Sequence, residues 1–158
     1  MQYRIGNGID IHQLEEGIPL IIGGISIPFK NGSKGHSDGD VLFHAIVDAI
    51  LGSLSLGDIG KYFPSDNSNW KNADSRTFLE HAFKLINEQG YSVENIDATI
   101  ILQEPIINSH ILYIRENIAS ILSADLDQIS VKATTTDKLG FIGKGEGIAA
   151  TASVLIKK

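Results

Sequence analysis

Short isoleucine-rich segments separated by glycine are the feature that most constrains this chain. Of its 158 residues, 25 are isoleucine and 16 are glycine. β-branched side chains favour extended backbone, and glycine marks turns or interruptions. The first such segment, YRIGNGIDIH, alternates around Ile5, Ile9 and Ile11, which predicts a strand interrupted at Gly6 and Gly8.

The remaining strands follow from the same reading. A two-residue turn at Gly23–Gly24 between two apolar triplets predicts a β-hairpin. β-branched runs predict three further strands in the second half of the chain. The predicted strands are Leu20–Ile22, Ile25–Ile27, Ile96–Gln103, Ile129–Thr134 and Ile148–Ile156.

Three segments have helical periodicity. The segment HSDGDVLFHAIVDAILG predicts a helix that Ser37 caps at its start and Gly52 caps at its end. A second helix is predicted from about Ser75 to Gln89, and a third from about His110 to Leu122. The long polar segment between the first two helices predicts a functional or mobile loop.

Strands dispersed among helices predict one domain over residues 1–158. We expect an α+β two-layer sandwich of ferredoxin-like topology, with helices on one face of a mixed sheet. Ile9, Ile11, Ile100 and Val154 are too apolar to leave the other face in water. We therefore expect that face to be covered by oligomerisation.

Composition excludes several classes of protein. The chain has no cysteine, which excludes disulfides and thiolate metal cages. The net charge is −6 and no run of Lys or Arg indicates a nucleic-acid surface. No apolar run approaches the roughly 18 residues of a membrane span, and the N-terminus resembles no targeting peptide. We expect a cytoplasmic protein that binds neither nucleic acid nor membranes.

A group of hard ligands suggests a metal site. Asp10 and His12 are two apart on a predicted strand, so their side chains share a face. His44 lies in the first predicted helix, one turn from both Asp40 and Asp48. Two imidazoles and one carboxylate suit a catalytic zinc ion, and either aspartate could orient the His44 ring. By spacing alone, surface or structural histidines remain the alternative.

Glycines also cluster in LGFIGKGEG, directly after the predicted strand VKATTT. The segment matches neither GxGxxG nor GxxxxGK[ST]. With its threonines and lysine it could form an anion-binding nest, but for the segment taken alone a tight connection between two strands is the better explanation.

Taken together and in order, the motifs are far more specific than any one of them. GIDIH, IIGGISIP, GHSDGDVLFHAIVDAILG, LGDIGKYFP, KNADSR and VKATTTDKLGFIGKGEGIA closely resemble the 2-C-methyl-D-erythritol 2,4-cyclodiphosphate synthase family. The resemblance extends from Arg4 to Ile156. It implies a homotrimer with three packed sheets and active sites between subunits, working in the non-mevalonate (MEP) isoprenoid pathway.

The resemblance also implies roles for individual residues. Zinc ligands are implied at Asp10, His12 and His44, and a second divalent cation, Mg²⁺ or Mn²⁺, at Asp137. Transition-state stabilisation is implied at His36 and Thr135. The implied substrate contacts are Asp10, Ile11, His12, His36, Ser37, Asp58, Ile59, Gly60, Phe63, Pro64, Ser65, Asp66, Asn67, Leu102, Gln103, Glu104, Pro105, Ile106, Ile107, Asn108, Ala133, Thr134, Thr135, Thr136, Phe141 and Lys144.

The implied activity is that of a metal-dependent phosphorus–oxygen lyase that cyclises 4-diphosphocytidyl-2-C-methyl-D-erythritol 2-phosphate and releases CMP. The chain departs from the family at three positions: Asp137 replaces a glutamate, Lys144 replaces the usual arginine, and Ile106 stands where a basic residue is common. A zinc-dependent phosphohydrolase and a non-catalytic trimer that binds zinc or isoprenoid ligands are the alternatives.

Overall fold

The computed structural model describes residues 1–158. Seven strands and five helices follow one another along the chain: β1 (Tyr3–Glu16), β2 (Leu20–Ile22), β3 (Ile25–Ile27), β4 (Asn31–Lys34), α1 (Val41–Ser53), α2 (Ile59–Tyr62), α3 (Ser75–Glu88), β5 (Ser92–Ile101), α4 (Ile111–Leu122), β6 (Ile129–Thr134), α5 (Gly140–Gly143) and β7 (Gly147–Lys157). Single 3-10 turns lie at Ser68–Trp70, Asn108–His110 and Leu126–Gln128.

The main sheet is mixed and has the strand order β4-β1-β7-β5-β6, while β2 and β3 form a separate hairpin. Only β5 and β6 are parallel neighbours. Helix α1 packs against β1 and β7, α4 packs against β6, and α3 contacts both helices. The predicted mixed α+β arrangement is confirmed. The predicted ferredoxin-like topology is wrong. A ferredoxin-like fold has the chain order β-α-β-β-α-β. In this chain α1 and α3 lie between β1 and β5, α4 lies between β5 and β6, and the last strand, β7, inserts between β1 and β5 in the sheet.

Strand β1 is continuous, so the predicted interruption at its glycines is wrong. Gly6 and Gly8 instead face α1, where the helix backbone comes very close. A Cβ added to Gly6 would lie 1.7 Å from the carbonyl oxygen of Ala49, and one added to Gly8 would lie 2.0 Å from that of Ala45. The two glycines therefore permit a strand–helix approach that no other residue allows.

Helix α1 begins later than predicted. Its N-cap is Asp40 and not Ser37, because the Asp40 carboxylate accepts the N–H of Phe43. Gly52 lies inside the helix and does not cap it, and the C-cap is Leu54. Eleven of the 13 residues of α1 are buried, since the helix lies between the sheet and α3.

The other boundaries agree with the sequence in part. The hairpin of β2 and β3 is confirmed in its predicted register, and α3 begins at Ser75 as predicted, with Asp74 as its N-cap. Three elements were not predicted: β4, and the short helices α2 and α5, which lie in segments interpreted as loops. All three are four residues long, too short for periodicity to detect.

The sheet face away from the helices is apolar along β1. Ile5, Ile9 and Ile11 are 72%, 60% and 53% exposed on it. The expectation that Ile100 and Val154 also lie there is wrong, because both are fully buried on the helix side. The uncovered apolar surface is therefore narrower than the sequence suggested.

The two ends of the chain are neighbours. The N–H of Gln2 donates to the carbonyl of Lys158 (2.8 Å), and the N–H of Lys158 donates to that of Gln2 (2.9 Å). These two hydrogen bonds extend the pairing of β1 with β7 to the last residue. None of the helices has the length and apolar character that crossing a membrane requires.

Candidate metal centre and substrate pockets

The close contact between β1 and α1 brings three potential metal ligands together. Asp10 and His12 follow Gly8 on the same side of β1, and His44 precedes Ala45 in α1. Asp10 Oδ2 lies 2.8 Å from His12 Nε2 and 3.0 Å from His44 Nδ1. The two ring nitrogens are 3.2 Å apart. All three ligand atoms lie within 4.8 Å of one another, a group that could hold a metal ion.

Electrostatics favours an anionic ligand in this group. Burial alone would raise the pKa of Asp10, but hydrogen bonds with His12 and His44 outweigh it and hold the pKa well below its usual range. Burial likewise opposes the charge on His12, but its hydrogen bond to Asp10 raises the pKa of the imidazole. The Asp10 carboxylate therefore stays ionised at neutral pH. One carboxylate oxygen and two imidazole nitrogens fit zinc chemically and leave a fourth position for a substrate oxygen.

The second nitrogen of His44 faces two hydroxyls. Its Nε2 lies 2.8 Å from Ser75 Oγ and 3.1 Å from Ser37 Oγ. Ser75 Oγ in turn donates to a carboxylate oxygen of Asp38. The sequence led to no predicted role for Asp38 or Ser75. Asp38 lies in the motif GHSDGDVLFHAIVDAILG, and Ser75, which is 31 residues from His44 in the chain, lies in KNADSR.

The prediction that Asp40 or Asp48 orients His44 is wrong. The Asp40 carboxylate is fully buried and accepts the N–H groups of Gly23 (2.9 Å), Gly24 (2.7 Å) and Phe43 (3.0 Å). It therefore joins the hairpin turn to the start of α1. Burial raises the pKa of Asp40 to about 6 despite these three donors. Asp48 accepts the N–H of Ile59 (2.7 Å), and burial raises its pKa.

A pocket of about 290 Å³ opens beside the three ligands, and we call it the metal-side pocket. It contains His12 and His44 and several of the predicted substrate contacts. Ring Nε2 of His36 bonds to the carbonyl of Asn67 (3.0 Å). Asp58 caps α2 through the N–H of Lys61 (3.1 Å). The other lining residues are His36, Ser37, Ile59, Gly60, Phe63, Ser65, Trp70 and Phe78.

The loop between α2 and α3 closes one side of this pocket. Phe63 stacks on Phe78 of α3 with ring centres 4.3 Å apart, and Trp70 meets Phe63 edge-on at 5.0 Å. The end of the loop pairs with the segment before α1. Asn72 N–H donates to the carbonyl of His36 (2.7 Å), and Asp38 N–H donates to the carbonyl of Ala73 (3.0 Å). Pro64 and Asp66 lie in this loop but do not line the pocket.

A second pocket of about 280 Å³ lies where β5 and β6 end, and we call it the β5–β6 pocket. Nine of the implied substrate contacts line it: Leu102, Gln103, Pro105, Ile106, Ile107, Asn108, Ala133, Thr134 and Thr135. Three strand spacings separate β1 from β6, or about 14 Å. The implied substrate contacts are therefore divided between two separate pockets within one chain.

The glycine-rich segment lies between these regions. Asp137 has a left-handed backbone (φ +51°) and donates its N–H to Thr135 Oγ1 (3.2 Å). Phe141 contacts a shallow cavity that also includes Ile11 and His12. Lys144 and Glu104 line another cavity together with Lys30. Neither Asp137 nor Thr136 lines the metal-side pocket or the β5–β6 pocket.

Known proteins resemble the chain along its full length. A model of the YgbB family matches residues 3–157. The 2-C-methyl-D-erythritol 2,4-cyclodiphosphate synthase of Geobacillus sp. (strain WCH70) is 54% identical over 156 residues, which is 99% of each chain.

Two solved structures share the fold. IspF of Plasmodium falciparum in a CDP complex superposes with a TM-score of 0.86 at 39% identity, over 98% of this chain and 95% of that one. The bifunctional IspDF of Campylobacter jejuni gives a TM-score of 0.95 at 44% identity. That match covers 99% of this chain but 42% of the bifunctional one.

Proposed function

The chain belongs to the YgbB family of 2-C-methyl-D-erythritol 2,4-cyclodiphosphate synthases, and we propose that its three clustered ligands and two pockets carry out that cyclisation. The substrate is 4-diphosphocytidyl-2-C-methyl-D-erythritol 2-phosphate. The products are 2-C-methyl-D-erythritol 2,4-cyclodiphosphate and CMP, in the synthesis of isoprenoid precursors. The observation that carries this assignment to particular residues is the cluster of Asp10, His12 and His44 beside the metal-side pocket.

The reaction needs positioning more than acid–base chemistry. An oxygen of the 2-phosphate attacks the β-phosphorus, and the bond from that phosphorus to the bridging oxygen of CMP breaks. The electron pair leaves with CMP, whose phosphate carries the charge. No general base is required, because the attacking phosphate is already ionised at neutral pH. The task of the chain is to hold two anionic groups together and exclude water.

We assign the metal ligands to Asp10, His12 and His44 for zinc and to Asp137 for Mg²⁺ or Mn²⁺. When bound, these cations supply Lewis acidity and positive charge against the phosphates. Positive charge at these carboxylates also explains how a chain of net charge −6 accepts a polyanion. The shorter Asp137 side chain would reach its cation less closely than the family's glutamate.

The remaining roles follow from where the side chains lie. His36 and Ser37 line the metal-side pocket and suit hydrogen bonding to the methylerythritol phosphate. Phe63 and Trp70 close that pocket with aromatic surface and keep water from the reacting phosphates. In the β5–β6 pocket, Ala133 and Thr134 suit the cytosine, and Thr135 suits the phosphate end next to it.

We further propose that the working form is a homotrimer in the cytoplasm. The two pockets share no lining residue, and β1 and β6 lie three strand spacings apart, about 14 Å. Each pocket is therefore better completed by the other pocket of a neighbouring chain. The exposed isoleucines of β1 lie on the uncovered sheet face, where a neighbour would bury them. Ile9→Lys is expected to give monomers in sedimentation, with activity lost. Leu126→Lys, which charges an exposed apolar side chain elsewhere, should stay trimeric; trimeric Ile9→Lys would contradict the assignment.

Phosphorus NMR with the authentic substrate in H₂¹⁸O tests the reaction itself. We expect the cyclic diphosphate and CMP without solvent oxygen, and loss of turnover in His44→Ala. His110→Ala is the matched control, because the His110 side chain forms no capping hydrogen bond to α4. Incorporation of ¹⁸O into product phosphate, or unimpaired turnover in His44→Ala, would overturn the proposal.

A further inference from the structure

We propose that Ser75 and Asp38 are positioning residues for the metal centre: they form a hydrogen-bond relay that fixes which nitrogen of His44 faces the metal. The inference rests on the metal-binding role proposed above for Asp10, His12 and His44. It concerns two residues that touch neither the proposed metal nor the substrate.

The two nitrogens of His44 have different surroundings. Nδ1 faces the other two potential ligands, at 3.0 Å from Asp10 Oδ2 and 3.2 Å from His12 Nε2. Nε2 points the other way, towards the hydroxyls of Ser75 and Ser37. A metal bound at Nδ1 needs the lone pair of that nitrogen, so the ring proton must be on Nε2.

The directions of the hydrogen bonds then follow. With a proton on Nε2, His44 donates to Ser75 Oγ at 2.8 Å, the shorter of its two contacts. The hydroxyl proton of Ser75 is free to donate in turn, and it points at Asp38 Oδ1. An ionised carboxylate only accepts, so the chain from His44 to Asp38 runs in one direction. The opposite tautomer would direct a proton at the metal position.

The relay is itself held rigidly. Asp38 Oδ2 accepts the backbone N–H of Ser75 (3.0 Å), and Oδ1 also accepts the N–H of Asp40 (3.1 Å). The Ser75 side chain is fully buried at the first position of α3. Carboxylates that accept from metal-bound histidines raise the basicity of the ligand and fix its ring. Here the serine hydroxyl extends that effect from Asp38 to His44.

The arrangement also separates two tasks among neighbouring serines. Because Ser75 takes the Nε2 proton, Ser37 Oγ can turn to the metal-side pocket, which it lines and Ser75 does not. Ser75 thus serves the protein side of His44 and Ser37 serves the substrate side. Substitution of Ser75 should therefore have a different effect from substitution of Ser37.

Zinc affinity measured by chelator competition tests the relay directly. Ser75→Ala and Asp38→Asn are each expected to weaken zinc binding by about 10- to 100-fold and to alter the visible absorption spectrum of the Co²⁺-loaded protein. The zinc affinity of the double variant should equal that of the single variant with the lower affinity, because the two residues act in series. Ser75→Thr, which keeps the hydroxyl, should retain affinity.

Asp74→Ala is the matched control. Asp74 caps α3 by accepting the N–H of Arg76 (2.8 Å) and does not contact His44. Its loss should destabilise the start of α3 without changing zinc affinity. An equal loss of zinc affinity in Asp74→Ala would show that Ser75 acts only through the helix. Zinc affinity of Ser75→Ala within about threefold of the unmodified protein, well short of the 10-fold expected, would also overturn the relay.

Nitrogen-15 NMR of the zinc-loaded, unmodified protein gives a test that needs no variant to fold. The His44 ring should carry its proton on Nε2, and a proton on Nδ1 would overturn the inference. Failure of the unmodified protein to bind zinc at all would instead refute the proposed metal centre.

Discussion

Replacement of Gly8 by alanine is the most informative perturbation of this fold. The new Cβ would lie 2.0 Å from the carbonyl oxygen of Ala45, and real Cβ atoms essentially never approach closer than 3.0 Å. Strand β1 and helix α1 must therefore separate by about 1 Å. Both contacting atoms belong to rigid backbone elements, so no side chain can turn aside to absorb the clash.

Two measurable effects follow. The cost in the free energy of unfolding should reach about 3 kcal/mol, the upper part of the range for overpacked cores. Asp10 follows Gly8 by two residues and His44 precedes Ala45, so the same displacement lengthens the 3.0 Å contact between Asp10 Oδ2 and His44 Nδ1. A ligand misplaced by about 1 Å should weaken zinc binding by at least about 10-fold.

Urea unfolding and zinc competition measure these two effects. Gly52→Ala, in the facing helix α1, is the control, since its Cβ would approach no atom closer than Asn7 O at 3.9 Å. That variant should gain about 0.5–1 kcal/mol from the higher helix propensity of alanine. A Gly8→Ala protein that loses less than about 1 kcal/mol, below the usual overpacking cost, and binds zinc normally would refute the argument.

Three further predictions concern single side chains. Asp40→Asn should lower the free energy of unfolding at neutral pH by about 1–3 kcal/mol in urea melts, because an amide N–H₂ would face a backbone N–H; a variant of unchanged stability would contradict this. In the unmodified protein, burial raises the pKa of Asp40 from 3.8 to about 6, so the free energy of unfolding should fall by about 3 kcal/mol in all as pH rises from about 3 to about 7; the variant should lack that slope. Asp137→Glu should tighten the second cation in Mg²⁺ or Mn²⁺ titrations of activity, and an unchanged titration would make the shorter side chain immaterial. Phe63→Ala removes a ring stacked at 4.3 Å on Phe78 and should raise KM by up to about 10-fold, whereas an unchanged KM would separate the loop from substrate binding.

Sequence patterns correctly predicted those features of the structure that depend on residues close together in the chain. The Gly23–Gly24 turn predicted the hairpin register, and apolar periodicity predicted the start of α3 at Ser75. The D-x-H pair on a strand together with His44 on a helix indicated the three ligands that the fold brings within 4.8 Å of one another. Each of these signals lies within a few consecutive residues or relies on a simple periodicity.

The failures that bear on the candidate site involve partners distant in the chain. Gly6 and Gly8 were interpreted as interruptions, because the sequence does not show that α1 lies against them. Asp40 and Asp48 were chosen to orient His44 by helical spacing, yet the partner that does so is Ser75, held by Asp38. Helical spacing gives neighbours along one helix, but the free nitrogen of His44 points off that helix towards α3.

The hydrogen-bonded termini have a consequence for how this chain can be joined to other proteins. Gln2 and Lys158 meet at the end of the sheet from which β1 runs about 23 Å before it reaches Asp10. A partner domain fused at either terminus would be attached at the end of the sheet distant from Asp10 and would leave both pockets open. A short linker between the two ends should likewise allow new termini to be cut into an exposed turn elsewhere.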